Sequence, residues 1–201
     1  MITRRKDRIL RLSILGALAL TLVSSAASAQ TTDGGYERAL STSMAGVANA
    51  MHATIRRNLA EATGPMTDAE FAFRPTPDVR SFGQLVGHVV NVNYFFCSQA
   101  AGERSPATGN YETTTDRAAL VRALQDSLAY CDRIYAATTD ENFNQPVLLP
   151  PQAGTSAPPT IRGAVLMFNV AHNNEHYGNL VVYMRLRGRT PPSTANVQGR
   201  N

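Results

Sequence analysis

The stretch Ala171-His172-Asn173-Asn174-Glu175-His176-Tyr177-Gly178-Asn179 lies within residues 161–187, which predict one long helix. His172 and His176 are four residues apart, so they stack on one face of that helix, about one turn apart. Two imidazoles at this spacing reach a single metal ion. On a helical wheel, the same face carries apolar residues and is expected to point to a core: Ile161, Val165, Phe168, Tyr183 and Leu186. A pair of hydrogen-bonded core histidines is the alternative interpretation of this motif taken alone.

Three earlier segments also predict amphipathic helices. Apolar residues recur every three or four positions in 36–63, 82–101 and 115–137. The connector 66–80 contains two prolines and predicts one short helical turn, whereas 139–160 is rich in Pro, Gly, Ser and Thr and predicts a long irregular loop. The fold class is therefore all-α, a four-helix bundle with a long irregular loop between helices 3 and 4.

His88 falls on the apolar stripe of the second helix, where a lone histidine is usually a hydrogen-bonded core residue. Here it is the third core-facing imidazole in a chain that has four histidines. His52, the fourth, lies at the edge of its stripe and is expected outside the site. A three-histidine set leaves a coordination position open, as in catalytic rather than structural zinc sites. Imidazole suits Zn, Ni, Fe or Cu, so the identity of the divalent ion stays open.

Glu175 is the candidate catalytic residue, either as a general base or as a hydrogen-bond partner of a ligand. The alternative is a surface glutamate paired with a nearby arginine. The segment also matches H-x-x-E-H, the inverzincin peptidase signature. That class takes a further glutamate from well downstream, and no Asp or Glu follows Glu175. We therefore exclude a peptidase of that class.

The first 29 residues predict a secretory signal peptide. A basic start precedes an apolar run, 12–23, that is too short to span a membrane, and Ala27-Ser28-Ala29 matches a cleavage site. We expect cleavage after Ala29 and a periplasmic or secreted protein. Thr3-Arg4-Arg5 leaves the general and twin-arginine routes both open. The mature chain is expected to comprise a domain at 30–189 and a disordered tail at 190–201.

Removal of the signal peptide changes the charge of the chain. The segment holds five of the 19 basic and one of the 15 acidic residues, so the remainder is neutral, with 14 of each. The basic pI therefore gives no evidence for a nucleic-acid partner. The remainder has no lysine, which excludes Schiff-base chemistry.

The two cysteines, Cys97 and Cys131, invite a disulfide in an oxidising compartment. Cys131 lies on the apolar stripe of its helix, whereas Cys97 lies off its stripe and near the helix end. If the two helices are antiparallel neighbours, the two residues lie at different heights and out of bonding reach. We therefore expect a core thiol at Cys131 and a separate, half-exposed thiol at Cys97.

Two surfaces are expected to carry contacts. The fourth helix is apolar on several sides, which predicts a homodimer through this helix; the alternative is that the 139–160 loop covers the surface. The apolar residues concerned are Leu166, Met167, Val170, Val181 and Met184. The open metal position is expected to face the connector 66–80, where Arg74 and Arg80 could bind an anionic substrate.

Two motifs together resemble the DinB-like superfamily. Arg74-Pro75 followed by Arg80-Ser81-Phe82-Gly83-Gln84-Leu85-Val86-Gly87-His88 is similar to the entry of its second helix. The stretch quoted first is similar to its last-helix motif, a His-x-x-x-His followed by x-Gly-Gln, with Asn179 in place of Gln. The resemblance covers about 36–188. It implies a four-helix bundle that binds a divalent metal ion (Zn, Ni or Fe) through His88, His172 and His176.

The resemblance also implies a function. Some relatives are thiol-dependent transferases or isomerases, so we expect a metal-dependent enzyme of thiol transfer or hydrolysis acting on an unknown small-molecule substrate. An exported member is unusual because low-molecular-weight thiols are mainly cytosolic. Two alternatives remain: a non-catalytic metal-binding module with the same ligands, and a metal-free structural bundle.

Overall fold

The computed structural model describes residues 43–148 and 159–198. Its elements, in chain order, are α1 (Met44–Thr63), α2 (Asp68–Ala72), α3 (Phe82–Ala101), a 3-10 helix (Tyr111–Thr113), α4 (Arg117–Ala136), α5 (Asp140–Phe143), β1 (Pro146–Val147), β2 (Thr160–Ile161), α6 (Arg162–Leu186) and α7 (Pro192–Gln198). The four long helices α1, α3, α4 and α6 pack as the predicted all-α bundle. Within the described ranges, no helix combines the length and apolarity that a membrane crossing requires.

Local sequence signals set where the helices begin and end. Ser81 and Gln84 form a capping box at the start of α3, so that two amide donors of the first turn are satisfied. Gly102 ends the same helix in a left-handed conformation with φ of 70°, which glycine adopts without steric cost. Thr67 and Glu70 form the second predicted capping box, which starts α2 in the connector.

Helices α3 and α4 run in the same direction. Residues that face each other across the pair occur in the same order along both chains. Gly83 lies near Leu120, and Asn93 lies opposite Ser127, with Nδ2 and Oγ 3.4 Å apart. Residues 102–116 therefore form a long crossover from one end of the bundle to the other.

Helix α1 is antiparallel to α4, and α6 is antiparallel to α3. Asn49 of α1 donates to the carbonyl oxygen of Tyr135 near the end of α4. Tyr183 near the end of α6 donates to the carbonyl oxygen of Arg80, just before α3. The two middle helices thus share one direction, and α1 and α6 share the opposite one.

The parallel course of α3 and α4 explains why the expectation of two separate thiols is wrong. Cys97 and Cys131 form a disulfide with Cα atoms 5.4 Å apart, and both residues are buried. The expected separation of the two thiols holds only for antiparallel neighbours. Because the two helices run in the same direction, Cys97 near the end of α3 lies beside Cys131 near the end of α4.

Helix α6 turns a different face to the core than the helical wheel predicts. Phe168 and Leu186, expected in the core, are both 58% exposed. The prediction took the histidines as the centre of the core-facing side of α6. In the structure they lie at the edge of that side, next to α3. Leu166, Val170 and Met184, from which the homodimer was argued, are instead fully buried. The homodimer stays a prediction.

The C-terminal tail is more ordered than expected. Residues 192–198 form α7, which begins with a buried proline at a position that suits proline. The Tyr177 and Ser193 hydroxyl oxygens lie 3.0 Å apart, and Asn196 donates to Glu61 of α1.

The loop between α4 and α6 also contains regular structure, since β1 and β2 pair antiparallel. The predicted signal peptide lies outside the described residues.

Candidate metal centre

Three imidazoles converge between α3 and α6. Nε2 of His172 lies 3.2 Å from Nε2 of His88 and 3.1 Å from Nε2 of His176. One nitrogen from each ring lies within 4.8 Å of the other two. Because α3 and α6 are antiparallel here, His88 lies opposite His172 and His176. The sequence predicted that these three imidazoles converge.

The cluster fits a divalent metal ion. Two imidazole nitrogens that bind one zinc ion at about 2.0–2.1 Å lie roughly 3.3 Å apart in a tetrahedral site, close to the observed separations. The pKa of His172 is lowered to about 4, mainly by burial and to a smaller extent by the neighbouring His176 and His88. Burial, followed by His88, also lowers the pKa of His176. Both rings are therefore neutral at pH 7, the protonation state that binds metals.

Glu112 interacts with the imidazole of His88, and this residue was not predicted from the sequence. Its Oε1 lies 2.7 Å from Nδ1 of His88, while Arg80 Nε donates to Oε2 at 2.9 Å. A carboxylate beside Nδ1 assigns the proton to that nitrogen, so the lone pair of Nε2 points toward the other two histidines. Burial opposes ionisation of Glu112, but the hydrogen bonds from His88 and Arg80 outweigh it and hold its pKa below the usual value.

Glu112 reaches His88 because the crossover packs tightly on α3. A Cβ atom at Gly87 would overlap the carbonyl group of Tyr111, so only glycine permits this contact. Asn91 Oδ1 accepts from the Tyr111 amide at 3.0 Å. One turn of α3 therefore carries His88 and also docks the crossover that supplies its partner.

Glu175, the predicted catalytic residue, is not part of the cluster. It lies on the exposed side of α6 and makes no side-chain hydrogen bond to another described residue. Its charge does act on the site, since it tends to raise the pKa of His176. Asn179 lies closer, with Nδ2 3.5 Å from Nδ1 of His176. With the amide in the flipped orientation, its oxygen would accept the Nδ1 proton of His176.

The remaining predicted residues have other partners. Arg80 pairs with Glu112 at the edge of the site, whereas Arg74 donates to the Pro77 carbonyl and to Gln84. His52 lies outside the cluster, as expected. Its Nε2 lies 2.8 Å from Asp132 Oδ1, and its ring stacks on Tyr135 with centroids 3.9 Å apart.

The bundle and the histidine cluster define a helical protein with a candidate metal centre, and comparison with known proteins gives its family. The DinB superfamily model matches residues 51–180, more than half of the chain. The chain therefore belongs to the DinB superfamily. No curated protein sequence matches it.

Two proteins of known structure share the fold. A DinB-like protein from Bacillus cereus ATCC 10987 is 19% identical with a TM-score of 0.57, over 69% of this chain and 89% of that one. A mycothiol-dependent maleylpyruvate isomerase is 15% identical with a TM-score of 0.54. That match covers 68% of this chain but 60% of the isomerase, and a point mutant of the isomerase matches equally. At these identities the similarity establishes the fold alone.

Proposed function

We propose that this chain is an exported metalloprotein of the DinB superfamily in which His88, His172 and His176 bind one divalent metal ion. We further propose that it is a metal-dependent enzyme acting on a small molecule. The observation that carries the proposal is the convergence of three imidazole nitrogens, separated by 3.1–3.2 Å in two of the pairs. A bound divalent ion would supply Lewis acidity, and three protein ligands leave a coordination position for a substrate.

The residues around the histidines prepare the site in two ways. Glu112 orients His88 and keeps its Nε2 lone pair available to the site. Arg80, half exposed at 46%, compensates the charge of Glu112. Its positive charge also contributes to lowering the pKa of His176, which indicates that its field reaches the cluster. An anionic substrate group would be attracted to this side of the site.

The disulfide bears on both the compartment and the reaction. Disulfides persist in oxidising compartments, so the Cys97–Cys131 bond supports export. The chain has no other cysteine and therefore no nucleophilic thiol of its own. Thiol transfer would need a low-molecular-weight thiol as a second substrate. Because such thiols are scarce outside the cytosol, we favour hydrolysis over thiol transfer.

Metal content of the mature protein tests the proposal. Protein purified from the periplasm of an expression host is expected to contain about one divalent metal ion per chain by elemental analysis. His172→Ala should lose the ion and keep its helical circular dichroism spectrum. The metal-loaded protein is then assayed against esters and amides, with and without added thiol. Protein that takes up no zinc, nickel or iron on dialysis would refute the metal site.

A non-catalytic metal-binding module with the same ligands is the second candidate. It is favoured because, among the described residues, none beside the cluster offers a free general base. The carboxylate that touches the histidines, Glu112, is engaged by His88 and Arg80, and Glu175 is exposed. Stoichiometric metal without turnover of any substrate in the assay would favour this candidate.

A further inference from the structure

A row of phenylalanine rings begins directly beside the histidine cluster. The Phe96 ring centroid lies 6.2 Å from that of His172, with the rings at 65°. Phe168 and Phe95 each lie 5.1 Å from Phe96 in edge-to-face arrangements. We call Phe95, Phe96 and Phe168 the aromatic patch.

The patch is open to solvent although its rings are large and apolar. Phe168 is 58% exposed and Phe95 is 38% exposed, while Phe96 packs partly against the core. Phe96 therefore fixes the position of the two outer rings. Contiguous exposed apolar surface of this kind usually marks a binding site.

The patch and the polar residues lie on opposite sides of the histidines. Along α3, Phe96 lies two turns after His88, whereas Arg80 precedes that helix. Along α6, Phe168 lies one turn before His172. A molecule whose head group reaches the histidines would thus have a charged surface at one side and an aromatic surface at the other.

We propose that the aromatic patch binds the apolar body of the substrate. The substrate class is then an aromatic compound whose polar head group binds at the three-histidine centre. This inference rests on the proposed metal site. Edge-to-face contact with Phe168 and Phe95 would favour an aromatic body over a short aliphatic one.

Two hydroxamates test the inference, because they share a metal-binding head and differ in the apolar body. Acetohydroxamate and benzohydroxamate are titrated calorimetrically into the zinc-loaded full-length mature protein. We expect benzohydroxamate to bind about tenfold more tightly, since a phenyl ring leaves water for an apolar surface. Phe168→Ser and Phe95→Ser should each reduce this preference about threefold or more, with acetohydroxamate affinity and zinc content unchanged.

Val182→Ser is the matched control. Val182 is 54% exposed on the same helix and does not belong to the patch, so its substitution should preserve the preference. Circular dichroism verifies the fold of each variant. Phe168→Leu, which keeps the bulk and removes the ring, replaces Phe168→Ser if the latter does not fold.

Four outcomes would overturn the inference, and they are distinguishable. An unchanged preference in the folded patch variants would show that the patch does not contact the ligand, with the metal site intact. Protein that takes up no zinc, nickel or iron would refute the proposed metal site and the inference with it, whereas metal-loaded protein that binds neither hydroxamate would refute the inference alone. A change from dimer to monomer on Phe168→Ser, with the preference unchanged, would assign the patch to contact between two copies of the chain.

Discussion

Glu112 controls how His88 can be used. Its carboxylate lies 2.7 Å from Nδ1, so His88 offers Nε2 rather than Nδ1 to the cluster. Arg80 binds the other carboxylate oxygen and restricts the rotation of Glu112. The site thus depends on a residue that is not itself one of the three candidate ligands.

Replacement of Glu112 is expected to weaken metal binding. Glu112→Ala should reduce the affinity about 10–100-fold, because His88 loses the acceptor that sets its tautomer and orientation. Glu112→Gln should have a smaller effect, because its amide oxygen still accepts the Nδ1 proton but lacks the charge. Competition with a chromophoric chelator measures both affinities. Glu103→Ala is the control, since Glu103 pairs with Arg133 on the surface. An unchanged affinity in Glu112→Ala would mean that another group orients His88.

At the scale of elements, the crossover between α3 and α4 completes the site. Gly87→Ala would drive a methyl group into the Tyr111 carbonyl and push the crossover away. We expect a loss of about 1–3 kcal/mol in the free energy of unfolding, together with weaker metal binding because Glu112 moves. Chemical denaturation and the chelator titration measure the two effects.

Gly178→Ala is the matched control for Gly87→Ala. Gly178 is also inside a helix, but no described atom outside its own stretch of helix lies within 4 Å of its added Cβ. This substitution should therefore stabilise the protein by about 0.5–1 kcal/mol, the usual helical advantage of alanine over glycine. Equal effects of the two substitutions would contradict the role assigned to Gly87.

The crossover also marks the limit of what the sequence predicts. The bounds of α3 agree with the expectation because Ser81 and Gly102 are local signals. The three histidines were found because their positions on helical stripes are also local. The relative direction of α3 and α4 has no local signature, since the 102–116 segment is long enough to return or to cross. The disulfide and Glu112 depend on that direction, and both were missed for this reason.

The disulfide fastens the two parallel helices. It joins residues 34 positions apart, so breaking it releases a long loop in the unfolded chain. A Cys97→Ser, Cys131→Ser double variant should lose about 2–4 kcal/mol in the free energy of unfolding. Urea unfolding of the oxidised protein, the reduced protein and the double variant measures this loss. Oxidised and reduced protein with the same midpoint would show that the bond contributes nothing.

At the scale of the whole molecule, one ion pair links the connector to the end of the bundle. Arg189, beyond α6, donates to both carboxylate oxygens of Glu70 in α2. The hydrogen bonds from Arg189 are the largest cause that lowers the pKa of Glu70 from 4.5 to about 2, and the hydrogen bond from the Thr67 backbone amide is the next largest. Because the folded-state pKa is below the ordinary value, this pair stabilises the protein above pH about 4.5.

Stability is therefore expected to fall between pH about 4.5 and about 2, where Glu70 becomes protonated. Glu70→Gln should lower the melting temperature at pH 7. It should also remove the part of the stability loss at acid pH that comes from protonation of Glu70. Arg189→Gln, which removes the other partner of the ion pair, should give a similar dependence of melting temperature on pH. Melting temperatures across this pH range measure the effect, and parallel curves for native protein and Glu70→Gln would contradict it.

The apolar core, rather than the metal ion, is expected to hold the bundle together. Fully buried side chains from all four long helices fill it, among them Ile55, Leu59, Val86, Leu124, Leu128 and Leu180. Each contributes about 1.5–3 kcal/mol, whereas an ion present at one hundred times its dissociation constant adds about 2.7 kcal/mol in total. Chelation should therefore lower the melting temperature and leave the helical circular dichroism spectrum unchanged at 25 °C. Leu128→Ala should cost about 2–5 kcal/mol with or without metal. Loss of helix on chelation would make the ion structural and would count against an enzyme.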